Sequence, residues 1–185
     1  MTNEMREVIQ YHIDNGFMMT IDRCFNDKVI SIEGFPICFS EDFILSTVIV
    51  DFHDEGYSIL RTKDIIDAYS NESDSFVEQI CIAEGLQQKL HQNFINEISA
   101  IKQILLQLKD YNGFICIQCE HQEKKCSFYM GKILNVQDGL VQFRDIDMFG
   151  EWDKNTDVIP FDEITQITFG DNYSKMYYKY MKNKC

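Results

Sequence analysis

The chain has 185 residues, 45% of them hydrophobic, with only two prolines and nine glycines. That is enough apolar material for one ordinary domain or two small ones, and it excludes global disorder and long flexible linkers. The formal net charge is -13 and the sequence pI is near 4.6, a balance that repels phosphate backbones and anionic lipid and attracts basic partners.

In chain order, a short helix is expected over residues 4–14, stopped by Asn15-Gly16, since glycine takes the left-handed cap without penalty. Strands follow over 17–23, 29–32, 37–39, 44–52 and 57–61, with 65–69 closing the set. Ser75 and Glu78 fit a capping box. From there Leu86, Leu90, Phe94, Ile98, Ile101, Leu105 and Leu108 recur at steps of three and four, the stripe of one long amphipathic helix, with Asn112-Gly113 as its left-handed stop. Further strands are expected over 114–120, 127–136, 140–144, 157–161 and 164–169. Asp138-Gly139 is a hairpin signal between two of them. A last helix over 172–184 places Tyr173, Met176, Tyr177, Tyr180 and Met181 on one face, read as packing on the second β unit, with Lys175, Lys179 and Lys182 elsewhere.

The halves repeat. Asn15-Gly16-Phe17 recurs as Asn112-Gly113-Phe114 at an offset of 97, and residues 58–65 match 157–164 in apolar pattern at an offset of 99. A helix with about five short strands is too small for a sandwich and suits a bent sheet closed into a small barrel. The expected fold is therefore α+β, mainly β: two helix-plus-five-strand barrels in tandem, joined by the long helix. The expected division is 1–74 and 75–185.

That layout resembles the Sm-like (SH3-like) small barrels. The segment from Leu105-Leu106 to Gly113 resembles their first helix entering strand one, and Tyr129-Met130-Gly131-Lys132-Ile133 their glycine-bent second strand. Asp138-Gly139-Leu140-Val141 resembles the next hairpin. Ile159-Pro160-Phe161-Asp162-Glu163-Ile164 is similar to the close of the C-terminal barrel of ribosome maturation factors. The resemblance implies RNA or ribosome association. The chain departs from it at Pro160-Phe161-Asp162, where uridine-reading Sm proteins carry Arg-Gly, so no RNA-binding residue is carried over.

Seven cysteines, an odd number at irregular spacing, read as reduced thiols. Cys116 and Cys119, with His121 and Cys126, invite a zinc reading, but the pair lies in an apolar strand pattern and ordinary buried cysteines are the simpler account. Asp51, His53, Asp54 and Glu55 offer a metal or acid–base cluster, set against a solvated hairpin tip. No nucleophile constellation, phosphate loop or dinucleotide fingerprint is present, so no catalytic residue, metal or cofactor is expected. Residues 1–7 lack a basic region leading into an apolar run, and no stretch suits a membrane span, so a cytoplasmic protein away from membranes is expected.

The leading expectation is a non-enzymatic module that binds a basic protein, with a toxin-neutralising immunity-type protein as its narrower form. Phe52, Asp54, Glu55, Phe149, Glu151, Trp152 and Asp153 are the candidate contacts. An Sm-like RNA- or ribosome-associated protein is the alternative, disfavoured by charge, and a metal-dependent enzyme comes last.

Overall fold

A computed structural model describes residues 1–121 and 127–181. Among these the chain is α+β, with four α-helices and eleven strands. It divides into two compact units, Met1–Phe94 and Ile95–Cys185. The eleven expected β segments coincide with these strands, with ends shifted by a few residues.

Unit 1 opens with helix α1, Asn3–Asn15, whose first turn is capped by Thr2 accepting from the Met5 N–H at 3.2 Å. Gly16, at φ 64°, ends it and lets the Phe17 N–H reach the His12 carbonyl at 2.9 Å. Strands β1 (Met19–Phe25) and β2 (Lys28–Gly34) form a hairpin through Asn26 and Asp27, both at positive φ. Strand β3 (Pro36–Phe39) pairs with β4 (Phe43–Val50), and β4 pairs with β5 (His53–Arg61). A single 3-10 turn, Thr62–Asp64, leads to β6 (Ile65–Tyr69), which lies on the other side of β1 from β2.

The bend between β2 and β3 is a backbone crossing. The Thr47 N–H donates to the Phe35 carbonyl at 2.9 Å, and the Phe35 N–H donates to Thr47 Oγ1 at 2.8 Å. A Cβ on Gly34 would lie 2.0 Å from the Thr47 carbonyl oxygen, so only glycine fits. Beneath this bent sheet, Ile9 of α1 packs with Met19, Ile21, Ile44, Leu60 and Ile65.

The expected long helix is broken. Helix α2 spans Glu72–Ala83, Gly85 at φ 77° ends it, a 3-10 stretch covers Leu86–His91, and helix α3 begins only at Ile101 (Ile101–Lys109). The apolar stripe is real, but it serves two cores. Leu86 and Leu90 join Met18, Phe35, Ile49 and Cys81 in unit 1, whereas Ile98, Leu105 and Leu108 are buried in unit 2. The unit boundary accordingly falls at 94/95, where 74/75 was expected. The side chain of Gln107 fixes the intervening segment by accepting from the Asn96 N–H at 2.8 Å and donating to the Glu97 carbonyl at 2.7 Å. The capping box is also displaced. Asn71 and Asp74 exchange side-chain bonds to each other's N–H groups at the start of α2, while Glu78 instead accepts from the Met18 N–H at 2.6 Å.

Unit 2 continues from α3 with β7 (Ile115–Cys119), β8 (Ser127–Val136), β9 (Leu140–Asp145), β10 (Asp157–Pro160), a 3-10 turn at Phe161–Glu163, β11 (Gln166–Phe169) and helix α4 (Asn172–Met181). Its strand order is β10-β9-β8-β7-β11. Strand β8 pairs with β7 as far as Gly131 and with β9 from Gly131 onward. A Cβ there would stand 2.0 Å from the Arg144 carbonyl oxygen. Gly34 and Gly131 thus occupy like crossings, and each unit places a 3-10 turn before its last strand. Two expectations are corrected here. Helix α3 ends at Asp110, at φ -90°, and Gly113 is not at positive φ. Neither unit's sheet closes into a cylinder, because the strand orders have ends, β6 beside β1 alone and β10 beside β9 alone. Of the expected helix over 172–184, Asn172–Met181 is observed; Lys182 and Lys184 lie outside the described residues.

Gly34→Ala and Gly131→Ala should each cost about 2–3 kcal/mol in urea unfolding. Gly139→Ala, at φ 85° with nothing within 4 Å, should cost only about 1 kcal/mol.

Candidate partner-binding site

The connection from β9 to β10 in unit 2 is pinched by a bridge between Ile146 and Trp152. Inside the pinch the backbone satisfies itself. The Asp147 N–H donates to the Glu151 carbonyl at 2.9 Å and the Gly150 N–H to the Asp147 carbonyl at 3.0 Å. The Asp147 carboxylate accepts from the N–H groups of Phe149 and Glu151, both at 2.9 Å. Tyr177 of α4 donates its hydroxyl to the Met148 carbonyl at 3.2 Å. Gly150, at φ 72°, turns the chain back.

This tied turn holds out two large apolar side chains, Met148 at 78% and Phe149 at 75% exposure. Beside them α4 presents Met176, Tyr177, Tyr180 and Met181. Together these side chains and Gly150 line a groove of about 240 Å³. Tyr180 and Met176 are 59% and 49% exposed. The expected packing of the whole tyrosine–methionine face is therefore only half met: Tyr177, Tyr178 and Met181 join the core around Phe114, Cys116 and Met130, while Tyr173, Met176 and Tyr180 stay outside. The sequence singled out Phe149 but not its neighbour Met148, and the pairing of two adjacent large apolar residues in an otherwise acidic loop was the signal for this groove.

The candidate contacts separate. In unit 2, Phe149 lines the groove, and Glu151 is exposed in the same turn. Trp152 is half-buried, with its ring edge-on to Phe114 at 5.5 Å and the Arg144 guanidinium over it at 4.7 Å. Its role is packing under the turn. Asp153 is exposed and accepts from the Asn155 N–H at 3.0 Å. In unit 1, Phe52 is exposed at the tip of the β4–β5 hairpin, and Asp51 and Phe52 both have positive φ, 48° and 63°. Asp54 is half-buried and caps the Gly56 N–H at 3.1 Å; Glu55 is half-buried beside it on β5. His53 Nδ1 lies 2.7 Å from the Asp51 carbonyl. That segment has the geometry of a two-residue hairpin turn.

Cys116 and Cys119 are buried in β7, His121 is exposed, and Cys126 lies outside the described residues. Burial, reinforced by Asp171 and Asp145, pushes the Cys116 thiol far up, which opposes the thiolate that a metal needs. Among the described residues no group of three or more histidine, cysteine, aspartate or glutamate side chains converges on one point. No helix among them is long and apolar enough to cross a membrane. Comparison with protein-family models, curated proteins and solved structures gives no match.

Behind the turn, Asp145 is half-buried, and its Oδ1 accepts from the N–H groups of Met130 at 2.7 Å and Ile146 at 2.9 Å. Burial raises its pKa, the two backbone bonds oppose that, and Asp157 and Asp153 add to it; burial and then Asp153 raise Asp157 likewise. A carboxylate raised above its unfolded value of about 3.9 binds protons more tightly in the folded state, so stability falls as pH rises through the interval between the two values. Asp145→Asn keeps the accepting oxygen and removes the charge. It should hold or raise stability at neutral pH and flatten that decline, whereas Asp145→Ala, which strands the Met130 N–H while the Ile146 N–H keeps its bond to the Met130 carbonyl, should cost about 1–3 kcal/mol. Urea melts at several pH values decide, and an equal loss in both variants would refute the assignment.

Proposed function

We propose that this chain is a non-enzymatic binding module that takes a basic protein partner on the groove between the 147–151 turn and α4. One observation carries the reading: a turn whose backbone is internally bonded displays Met148 and Phe149 to solvent beside the exposed Met176 and Tyr180. Isolated exposed apolar residues are ordinary, but a contiguous patch on a fixed scaffold is a mark of interaction sites. The net charge of -13 favours fast encounter with a cationic surface. A toxin-neutralising immunity-type protein acting in the cytoplasm is the narrower form of this proposal, supported by size and acidity alone.

A second reading has its own observation. The order β10-β9-β8-β7-β11, the bent strands at Gly34 and Gly131, and the 3-10 turns before β6 and β11 support a tandem pair of Sm-like units. That favours RNA or ribosome association, and the acidic balance opposes it.

Affinity capture with the wild type and with Met148→Ser/Phe149→Ser, followed by mass spectrometry and RNA sequencing of the eluates, separates the two. The first reading expects a basic protein that the double variant loses. RNA held by both forms and released by salt would favour the second. Once a partner is in hand, Glu151→Lys with Asp153→Lys should slow association about ten-fold at low salt and much less at high salt. An unchanged on-rate at low salt would remove the electrostatic part of the proposal.

A further inference from the structure

The groove also constrains the form of its occupant. We infer, resting on the binding-module reading, that it accepts an amphipathic helix bearing lysine or arginine beside its apolar face.

The walls of the groove are a helix and a closed turn, and neither offers a strand edge. In the turn, the N–H groups of Asp147, Phe149, Gly150 and Glu151 are all engaged within residues 147–151. Recognition by main-chain pairing, as in strand addition, finds these four donors already taken. What remains is side-chain contact with a row of Met148, Phe149, Met176 and Tyr180, the helix-in-groove mode. Methionine is unbranched and polarizable, so such a row can mould itself to branched anchors of different shape. About 240 Å³ suits one or two inserted side chains more than a flat face.

Charge sets the orientation. Asp147 and Glu151 lie in the turn. On the other wall Lys175 is exposed and does not line the groove, while Lys179 sits against the Tyr180 ring, 5.7 Å from its centroid. The basic residues of the occupant therefore face the turn. A second copy of this chain is a poor occupant, because each copy carries -13.

The test uses the whole chain and three synthetic peptides of about 18 residues: leucine at helical spacing with lysine elsewhere, the same with glutamate for lysine, and the lysine peptide with its leucines scrambled. Calorimetry reads binding. So does the fluorescence of Trp152, the one tryptophan of the chain, which packs in the cluster that holds Tyr177 and Met181. The lysine helix should bind, and Phe149→Ser or Tyr180→Ser should weaken it about ten-fold or more. Both positions are mostly exposed, and a urea melt checks that each variant stays folded. Glu151→Lys should weaken the lysine helix selectively. Equal binding of the glutamate helix would overturn the charge assignment, and equal binding of the scrambled peptide would overturn helix recognition. Binding insensitive to Phe149→Ser and Tyr180→Ser would place the site elsewhere. Failure of all three peptides would reject the inference while leaving the binding-module reading to the capture experiment. Phenylalanine-dependent partition onto phosphatidylcholine vesicles would assign the tip to a lipid surface and overturn the inference as well.

Discussion

The architecture of each unit depends on one close approach of backbone to backbone. A strand that must pair with one neighbour along its first half and another along its second has to bend sharply, and the inside of the bend leaves no room for a side chain. Gly34 lies against the Thr47 carbonyl and Gly131 against the Arg144 carbonyl, each closer than any Cβ tolerates. In unit 2, β8 passes from β7 to β9 at this point; in unit 1, the chain leaves β2 and re-enters pairing as β3. The concavity that results is what Ile9, Ile21, Ile44 and Leu60 fill in unit 1.

Most of the β structure was legible because its signals are local. Alternating and β-branched runs, Asp138-Gly139 and the Asn15-Gly16 stop all mark ends or periods within a few residues. The failures came where a local pattern has two tertiary solutions. The stripe from Leu86 to Leu108 obeys helical spacing throughout, yet Gly85 at positive φ and the Gln107 bonds to residues 96 and 97 divide it between two cores. Asn15-Gly16 and Asn112-Gly113 are the same words in sequence. Only the first forms a left-handed cap, because α3 has already ended at Asp110 and Gly113 lies close against the Tyr111 ring. Ser75 and Glu78 satisfied a capping pattern that Asn71 and Asp74 fulfil instead, leaving Glu78 to hold the Met18 N–H.

The site was half legible for a related reason. Charge and aromatic content pointed to the 145–153 connection, but not to which ring faces solvent. Trp152 turned inward because Phe114 and the Arg144 guanidinium receive it. Phe149 turned outward because Asp147 collects the N–H groups of the turn beneath it. Such choices depend on residues as distant in sequence as Phe114 is from Trp152, or on bonds that no periodicity encodes. The same holds for α4, whose stripe is wide enough to serve core and surface at once.

The terminal position of β10 in its sheet bears on how the protein behaves when crowded. An open strand edge invites other chains to add to it, and exposed Val158 would make that addition favourable. The strand is only four residues long, starts at Asp157 and ends at Pro160, which has no N–H to donate. A newcomer finds a short ladder with a carboxylate at one end and a missing donor at the other. An acidic protein that exposes Met148 and Phe149 is in this way shielded from fibril growth at this sheet margin.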